Sequence, residues 1–292
     1  MKAKHNACIA ILSARKEMLP TCLKNFSLYH PCDYDLYVYQ FGNIYTDDDK
    51  EKVINSYSGK VTFVTIHPKV PPHLSEVDLF YNRTYNQYAR FEFPKSRTNY
   101  LHMCNFLTWE LFERQELSSY DYIIRFDDDS WFKKSFGFDV VDKFIEEESK
   151  RNGELFCINS YFWGMNEQFN PRHSQTRENL FNFVKSYVES NEVCPKSSSL
   201  RRAIDDNDEI AFHKMGWKSD LSVWKNGFQY HENWINWVDR IRKHGGIYKH
   251  RWGCCELHHL YGYMYYKDGV HNMNLKEQQL YDGHLPNFYI IR

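Results

Sequence analysis

The stretch that decides the fold is Tyr120–Phe132, YDYIIRFDDDSWF. A short apolar run, Tyr122–Phe126, ends without a linker in Asp127, Asp128 and Asp129. Short apolar runs bounded by turn residues read as buried strands. In an open α/β sheet, ligands bind beyond the carboxyl ends of such strands. Asp127 and Asp129, two apart in extended chain, can present one carboxylate to a divalent cation directly and the other through water. Hard oxygen donors of this kind suit Mg²⁺ or Mn²⁺. Such an ion would bridge a donor diphosphate and neutralise charge on a departing nucleotide. The competing reading is a solvated acidic cap on the turn into the next element.

Working outward, the pattern on the N-terminal side is strand–helix alternation. Cys8–Leu12 reads as a buried strand, followed by a helix with Leu19, Cys22, Leu23 and Phe26 on its apolar face. Leu36–Tyr39 and Val61–Ile66 are further strands, separated by a polar helix over Thr46–Ser56 whose first turn is rich in Asp, as the helix dipole favours. This alternation implies parallel strands with right-handed crossovers. Residues 67–96 carry Pro68, Pro71, Pro72 and Pro94 and read as a long irregular connection. Helical periodicity returns over Thr98–Leu117, with Tyr100, Met103, Leu107 and Leu111 on one face. Beyond the acids, Asp139–Lys150 reads as an amphipathic helix and Leu155–Ile158 as a strand. Residues 165–205 read as loop and helix with Ser197–Ser199 in an exposed turn. A helix is expected over Phe228–His244, its face formed by Tyr230, Trp234, Trp237, Val238 and Ile241, and ended by Gly245-Gly246.

Composition narrows the function classes. The 292 residues fit one large α/β domain. A net charge of −1 argues against a nucleic-acid binder, and the 17% of aromatic residues fits both an ordinary core and a carbohydrate-handling surface. There is no run of roughly 20 apolar residues, and residues 1–7 do not form a signal peptide. The eight cysteines lack C-x-x-C spacing and read mostly as buried free thiols. The expectation is a soluble chain in the reducing cytoplasm, or in the secretory lumen if an anchor has been removed. The sequons at Asn25 and Asn82 are at chance level.

Two further features carry chemistry. In DDNDEIAF (205–212), Glu209 stands where an acidic run meets apolar residues, at the expected border of the core. A carboxylate there can meet an anomeric carbon or take a proton from an acceptor hydroxyl. His284, in YDGHLPNF, could complete a metal site if the fold returns the tail to the acids.

Together these motifs resemble glycosyltransferase family 15, the fungal α-1,2-mannosyltransferases. YLHMCNF (100–106) is similar to that family's Y-x-H-M-C-R-F, and YDYIIRFDDD to its Y-D-Y-Y-W-R-V-E-P-D. NDEIA (207–211) resembles N-F-E-I-A, GGIYKHRWG (245–253) resembles G-G-F-Y-Y-E-R-W-G, and His284-Leu285-Pro286 resembles the closing H-x-P. The resemblance implies a GT-A fold, a mixed Rossmann-like sheet flanked by helices in one domain. Residues 1–135 would form the nucleotide-sugar half, and 136–292 the acceptor half with the C-terminal metal-ligand loop. It implies a GDP-mannose donor, Mn²⁺, a glycan or glycoprotein acceptor and retained anomeric configuration. By position it makes Asp127 and His284 metal ligands, joined by Asp129 from the spacing of the acids. It sets Arg15, Tyr100 and Arg125 around the nucleotide, and Glu209 as nucleophile or transition-state stabiliser.

The chain departs from the family at Asn105, which replaces an arginine, and at Cys254-Cys255-Glu256, which replaces D-A-P. A UDP-sugar donor therefore stays open. A sugar nucleotidyltransferase is disfavoured by the glycine-free LSARKEM after the first strand. A non-catalytic carbohydrate-binding protein is disfavoured by the retained acids.

Overall fold

The computed structural model describes residues 3–75, 78–79, 98–161, 179–213, 215, 218–267, 270–273 and 281–284. Its strands are β1 (Ala7–Leu12), β2 (Asp35–Phe41), β3 (Val61–Ile66), β4 (Tyr122–Phe126), β5 (Ser130–Phe132), β6 (Cys157–Tyr161), β7 (Lys218–Lys225), β8 (Val270–Asn272) and β9 (Tyr281–His284). Seven of them form one sheet in the order β3-β2-β1-β4-β7-β6-β8, and β5 pairs with β9 in a separate ribbon. β3, β2, β1 and β4 are mutually parallel. β7 runs antiparallel between β4 and β6, and β8 lies parallel to β6. The sheet is therefore mixed, and its parallel half is the half expected from the strand–helix alternation.

Strands covered on both faces read as continuous apolar runs, because successive side chains feed opposite layers. Cys8, Ala10 and Ile123 enter one core, while Ile9, Ile11, Ile124 and Phe126 enter the other. The helices of the N-terminal half are α1 (Leu19–Tyr29), α2 (Asp47–Ile54), α3 (Thr98–Asn105) and α4 (Val140–Lys150). Those of the C-terminal half are α5 (Leu180–Ser190), α6 (Ser198–Asp205), α7 (Glu209–His213), α8 (Glu232–His244), α9 (Gly246–His250) and α10 (Cys254–Tyr265). α1, α2 and α4 contribute Phe26, Val53 and Phe144 to the second core. α3, α5, α8 and α10 contribute Leu101, Val184, Trp237 and Leu257 to the first.

Local chemistry explains several boundaries. The α2 start is a capping box: Thr46 Oγ1 accepts from the Asp49 amide at 3.2 Å, and Asp49 Oδ2 accepts from the Thr46 amide at 3.1 Å. Asn25, one of the two sequons, is buried on α1, where its side chain exchanges hydrogen bonds of 2.9 and 2.7 Å with the Phe132 backbone. Its role there is to bolt α1 to β5. The other sequon, Asn82, lies outside the described residues, as does most of the Pro-rich connection. All eight cysteines are free and six are buried, as expected of thiols packed as small apolar groups. Among the described residues no helix is long and apolar enough to cross a membrane.

Other expectations are corrected. The helix expected over Thr98–Leu117 widens into a π-turn at Phe106–Glu110 and then ends. The helix expected from Phe228 begins at Glu232, after a 3₁₀ turn launched from Gly227 at φ 104°. Tyr230 is consequently 68% exposed instead of facing the core. Ser197 caps α6, its hydroxyl accepting from the Leu200 amide at 3.4 Å, so Ser198 and Ser199 are helical. The strand expected at Leu155 starts at Cys157.

Two glycines set the turn from α8 into α9. Gly245 has φ +74°, and a Cβ on Gly246 would lie 2.1 Å from Cε3 of the fully buried Trp252. Gly246→Ala is expected to destabilise the protein by about 1–3 kcal/mol through overpacking. The check is a lowered urea midpoint at unchanged slope.

Candidate active site

The acids occupy the tight turn between β4 and β5, closed by the Ser130 amide donating to the Asp127 carbonyl at 3.0 Å. Their three carboxylates have different surroundings. Asp128 is buried, with 2% of its surface exposed. Its Oδ2 accepts from Ser13 Oγ at 2.9 Å, the Ala14 amide at 3.0 Å and the Arg15 amide at 2.9 Å, while Oδ1 accepts from Arg15 Nε at 2.7 Å. The loop leaving β1 is thus wrapped around one carboxylate of the loop leaving β4. Charge-assisted bonds of this type are the strong ones.

Arg15 extends across this carboxylate to its neighbour. Its Nη1 and Nη2 donate to the two oxygens of Asp129 at 2.5 and 2.9 Å. Asp127 is more open, with a side chain 26% exposed, and accepts from Arg125 Nη2 at 2.5 Å. Arg125 itself is buried, coming from the last turn of pleat before the acids. The three carboxylates thus lie against the guanidiniums of Arg15 and Arg125. Beneath the turn, the Cys22 S–H donates to the Asp127 carbonyl at 3.6 Å. Burial first, and then Asp128 and Asp129, push that thiol's pKa well up, so it stays protonated.

The C-terminal strand does return to this turn. β9 pairs antiparallel with β5 so that His284 stands opposite Ser130, the residue after Asp129. Among the described residues no three His, Cys, Asp or Glu side chains are gathered as a ready metal cage. Asp127 offers a partly exposed carboxylate, Asp129 is buried with both oxygens accepting from Arg15, and β9 brings the His284 backbone alongside the turn.

Tyr100 sits half-buried in the first turns of α3, with the Arg251 guanidinium carbon 4.5 Å over its ring. Arg251 ends α9 in the left-handed region at φ 59°, a conformation costly for a residue with a Cβ. The neighbouring Cys104 and burial hold the Tyr100 phenol above its ordinary pKa. Glu209 differs from expectation. As the first residue of α7 its side chain is 55% exposed, and its partner is His213 Nε2 at 3.1 Å. Phe212 enters the core instead. Among the described residues no hydrogen bond or ion pair joins Glu209 to the acidic turn.

The structure therefore brings Arg15, Arg125, Asp127 and Asp129 together, with His284 adjacent through the backbone. Sequence reasoning missed the Ser13–Arg15 clamp and the anchoring role of Asp128. A usable signal was present: the polar Ser13-Ala14-Arg15 follows directly on a buried strand at the ligand-binding end of the sheet. Arg251 left no signal of its own beyond the motif around it.

The family model described as glycolipid 2-alpha-mannosyltransferase matches residues 1–277. Glycolipid 2-alpha-mannosyltransferase 1 of Candida albicans (strain SC5314 / ATCC MYA-2876) is 21% identical over 217 residues, covering 73% of this chain and 47% of that protein. The chain thus spans about half the length of the curated relative it matches. Among solved structures, core-mannan synthase A (CmsA/Ktr4) from Aspergillus fumigatus, in its Mn/GDP form, superposes with a TM-score of 0.67 at 17% identity, covering 93% of this chain and 73% of that one. The mannosyltransferase Ktr4p from S. cerevisiae in complex with GDP gives 0.71 at 16% identity, covering 90% and 68%. These likenesses show a common fold of the GT-A type.

The unequal surroundings of the acids give a test. Asp128→Ala removes the buried acceptor of the Ser13 hydroxyl, two loop amides and the half-exposed Arg15 guanidinium, and is expected to cost about 1–3 kcal/mol. Asp127→Ala, at a partly exposed carboxylate, is expected to cost less. Equilibrium urea unfolding of the two variants measures the difference, and equal losses would contradict the division of roles.

Proposed function

The chain belongs to the glycolipid 2-alpha-mannosyltransferase family, and from that premise we propose that it is a metal-dependent glycosyltransferase. The reaction is transfer of mannose from GDP-mannose to a hydroxyl of a glycan or glycoprotein, with retention of anomeric configuration. The observation that carries this reading is the acidic turn after β4, held to the loop after β1 by Arg15 and flanked by the returning β9. Support for the donor comes from relatives solved with GDP, one of them in an Mn/GDP form.

The donor set fits Mn²⁺. Asp127 is the open carboxylate of the run and Asp129 is a second hard-oxygen donor, buried under Arg15, and an imidazole from His284 would suit a borderline ion better than it would suit Mg²⁺. When bound, the ion would offset charge developing on the diphosphate leaving group. The protein's own groups do the remaining work. Arg125 orients the Asp127 carboxylate, and Arg15 orients that of Asp129. Arg15, 46% exposed along its side chain, also offers a cationic edge at the mouth of the site. Tyr100, stiffened by Arg251, supplies a wall for the nucleotide. Glu209 takes the part of nucleophile or of stabiliser of an oxocarbenium-like transition state on the strength of its place in the N-D-E-I-A motif, its exposed side chain being paired with His213.

Donor hydrolysis and thermal stabilisation across GDP- and UDP-sugars, with and without Mn²⁺, test the reading. GDP-mannose with Mn²⁺ is expected to give the largest shift and turnover, and preference for a UDP-sugar overturns the donor assignment. Asp129→Ala is expected to abolish metal-dependent binding. Glu209→Gln is expected to keep donor binding while lowering kcat by about 10²–10⁴-fold, and unchanged turnover removes Glu209 from the mechanism.

A further inference from the structure

α10 opens on two adjacent thiols. Cys254 and Cys255 are its first two residues, and Gly253 is the N-cap. Cys254 is buried and Cys255 is partly exposed, so the pair runs from the core to the surface. A hydrogen bond with Cys255, and then burial, push the pKa of the Cys254 thiol well up, which places the two sulfurs in contact. The pair stands where the chain departs from its family's D-A-P, so it belongs to this chain and not to the motif around it.

This helix start borders the wall assigned to the nucleotide. Arg251, three residues before Cys254, lies over the Tyr100 ring. Cys254 and Glu256 both act electrostatically on Tyr100, and Arg125 acts on Cys254. The Glu256 carboxylate folds back over Gly253, where a Cβ would collide with it. The first helical bond of α10, from the Leu257 amide to the Gly253 carbonyl, is long at 3.3 Å. The next turn is anchored from outside. Trp237 Nε1 donates to the Leu257 carbonyl at 3.2 Å, and His258 Nε2 donates to the Thr108 carbonyl at 2.8 Å. The first turn can therefore open while the rest of the helix stays in place.

Neighbouring Cα atoms are about 3.8 Å apart across a trans peptide, closer than the roughly 4.4–6.8 Å of ordinary disulfides. Successive side chains of a helix also point about 100° apart. A bond between these sulfurs needs the first turn to unwind, and it is strained once made. Strained disulfides are the readily reduced ones, suited to switching. We infer that Cys254 and Cys255 form a reversible vicinal disulfide whose closure unwinds the first turn of α10 and loosens the Tyr100–Arg251 wall. The oxidant is a small-molecule disulfide such as glutathione disulfide. The Cys255 thiolate bonds to one of its sulfurs and releases one glutathione thiolate. The Cys254 thiolate then displaces the second glutathione from Cys255, and the two thiol protons pass to the departing thiolates. Two protein thiols are oxidised and one disulfide is reduced. Cys104 and Cys157 also lie near the pair, but both are fully buried and out of an oxidant's reach. The effect on donor binding rests on the transferase reading, and the disulfide itself does not.

The test is incubation of the whole reduced chain with glutathione disulfide, read by intact mass, peptide mapping and GDP-mannose binding in Mn²⁺. Loss of two hydrogens is expected, mapped to Cys254 and Cys255, with donor binding about tenfold weaker and restored by dithiothreitol. Cys254→Ala is expected to stop at a glutathione adduct on Cys255. Cys255→Ser is expected to stay unmodified and to bind donor equally well before and after the treatment. A folded chain that loses no hydrogens overturns the proposal, and so does a bond mapped to Cys104 or Cys157. Donor binding unchanged by the vicinal disulfide overturns its coupling to the Tyr100 wall. If the reduced chain binds no GDP-mannose, the transferase reading falls, while mass and mapping still decide the disulfide.

Discussion

The Asp128 carboxylate gathers the Ser13 hydroxyl, the amides of Ala14 and Arg15 and the Arg15 guanidinium around two buried oxygens. These bonds join the carboxyl ends of β1 and β4, which are neighbours in the sheet but more than a hundred residues apart in the chain. An unpaired buried charge costs several kcal/mol, so the two loops are fixed together. The positions of Asp127 and Asp129 follow from that clamp. They flank the anchored residue, Asp127 under Arg125 and Asp129 sharing Arg15 with Asp128, so the candidate metal site inherits its rigidity from the clamp.

This changes how the D-D-D run is understood. The two readings available from sequence were a metal site and a solvated cap. The structure removes the solvated cap, since Asp128 is a buried carboxylate that holds the loop after β1 and only Asp127 is partly open. The spacing of Asp127 and Asp129 was read as extended chain, whereas the structure sets Asp128 and Asp129 in a tight turn closed from the Ser130 amide to the Asp127 carbonyl. The role of Asp128 was not legible, since it depends on a partner loop supplied by another strand.

The same distinction runs through the fold. β1 to β4 were legible because strands buried on both faces are unbroken apolar runs, and because Thr46 and Asp139 mark helix starts locally. β7 was missed. Its sequence KSDLSVWK is half polar, and its place between β4 and β6 is set by antiparallel pairing with distant segments. α10 was missed for the opposite reason. Eight residues of Cys254–Tyr265 are buried, so its sequence has no polar stripe to reveal a helical period. Glu209 was placed near the core because Ile210-Ala211-Phe212 follows it, yet Ile210 is 64% exposed, Ala211 is partly buried and only Phe212 is fully buried. Five residues are too few for a periodic signal to say which face is buried.

The β5–β9 ribbon has a kinetic meaning. It pairs Ser130 with His284 across 154 residues (284 − 130), using strands of three and four residues. Closing so long a loop is entropically costly, and a two-stranded ribbon is marginal by itself. It therefore forms after the seven-stranded sheet and opens at lower free energy than that sheet, as a separate cooperative unit. The surroundings of the acidic turn are in this sense completed last, and they can come apart while the folded core around Asp128 persists.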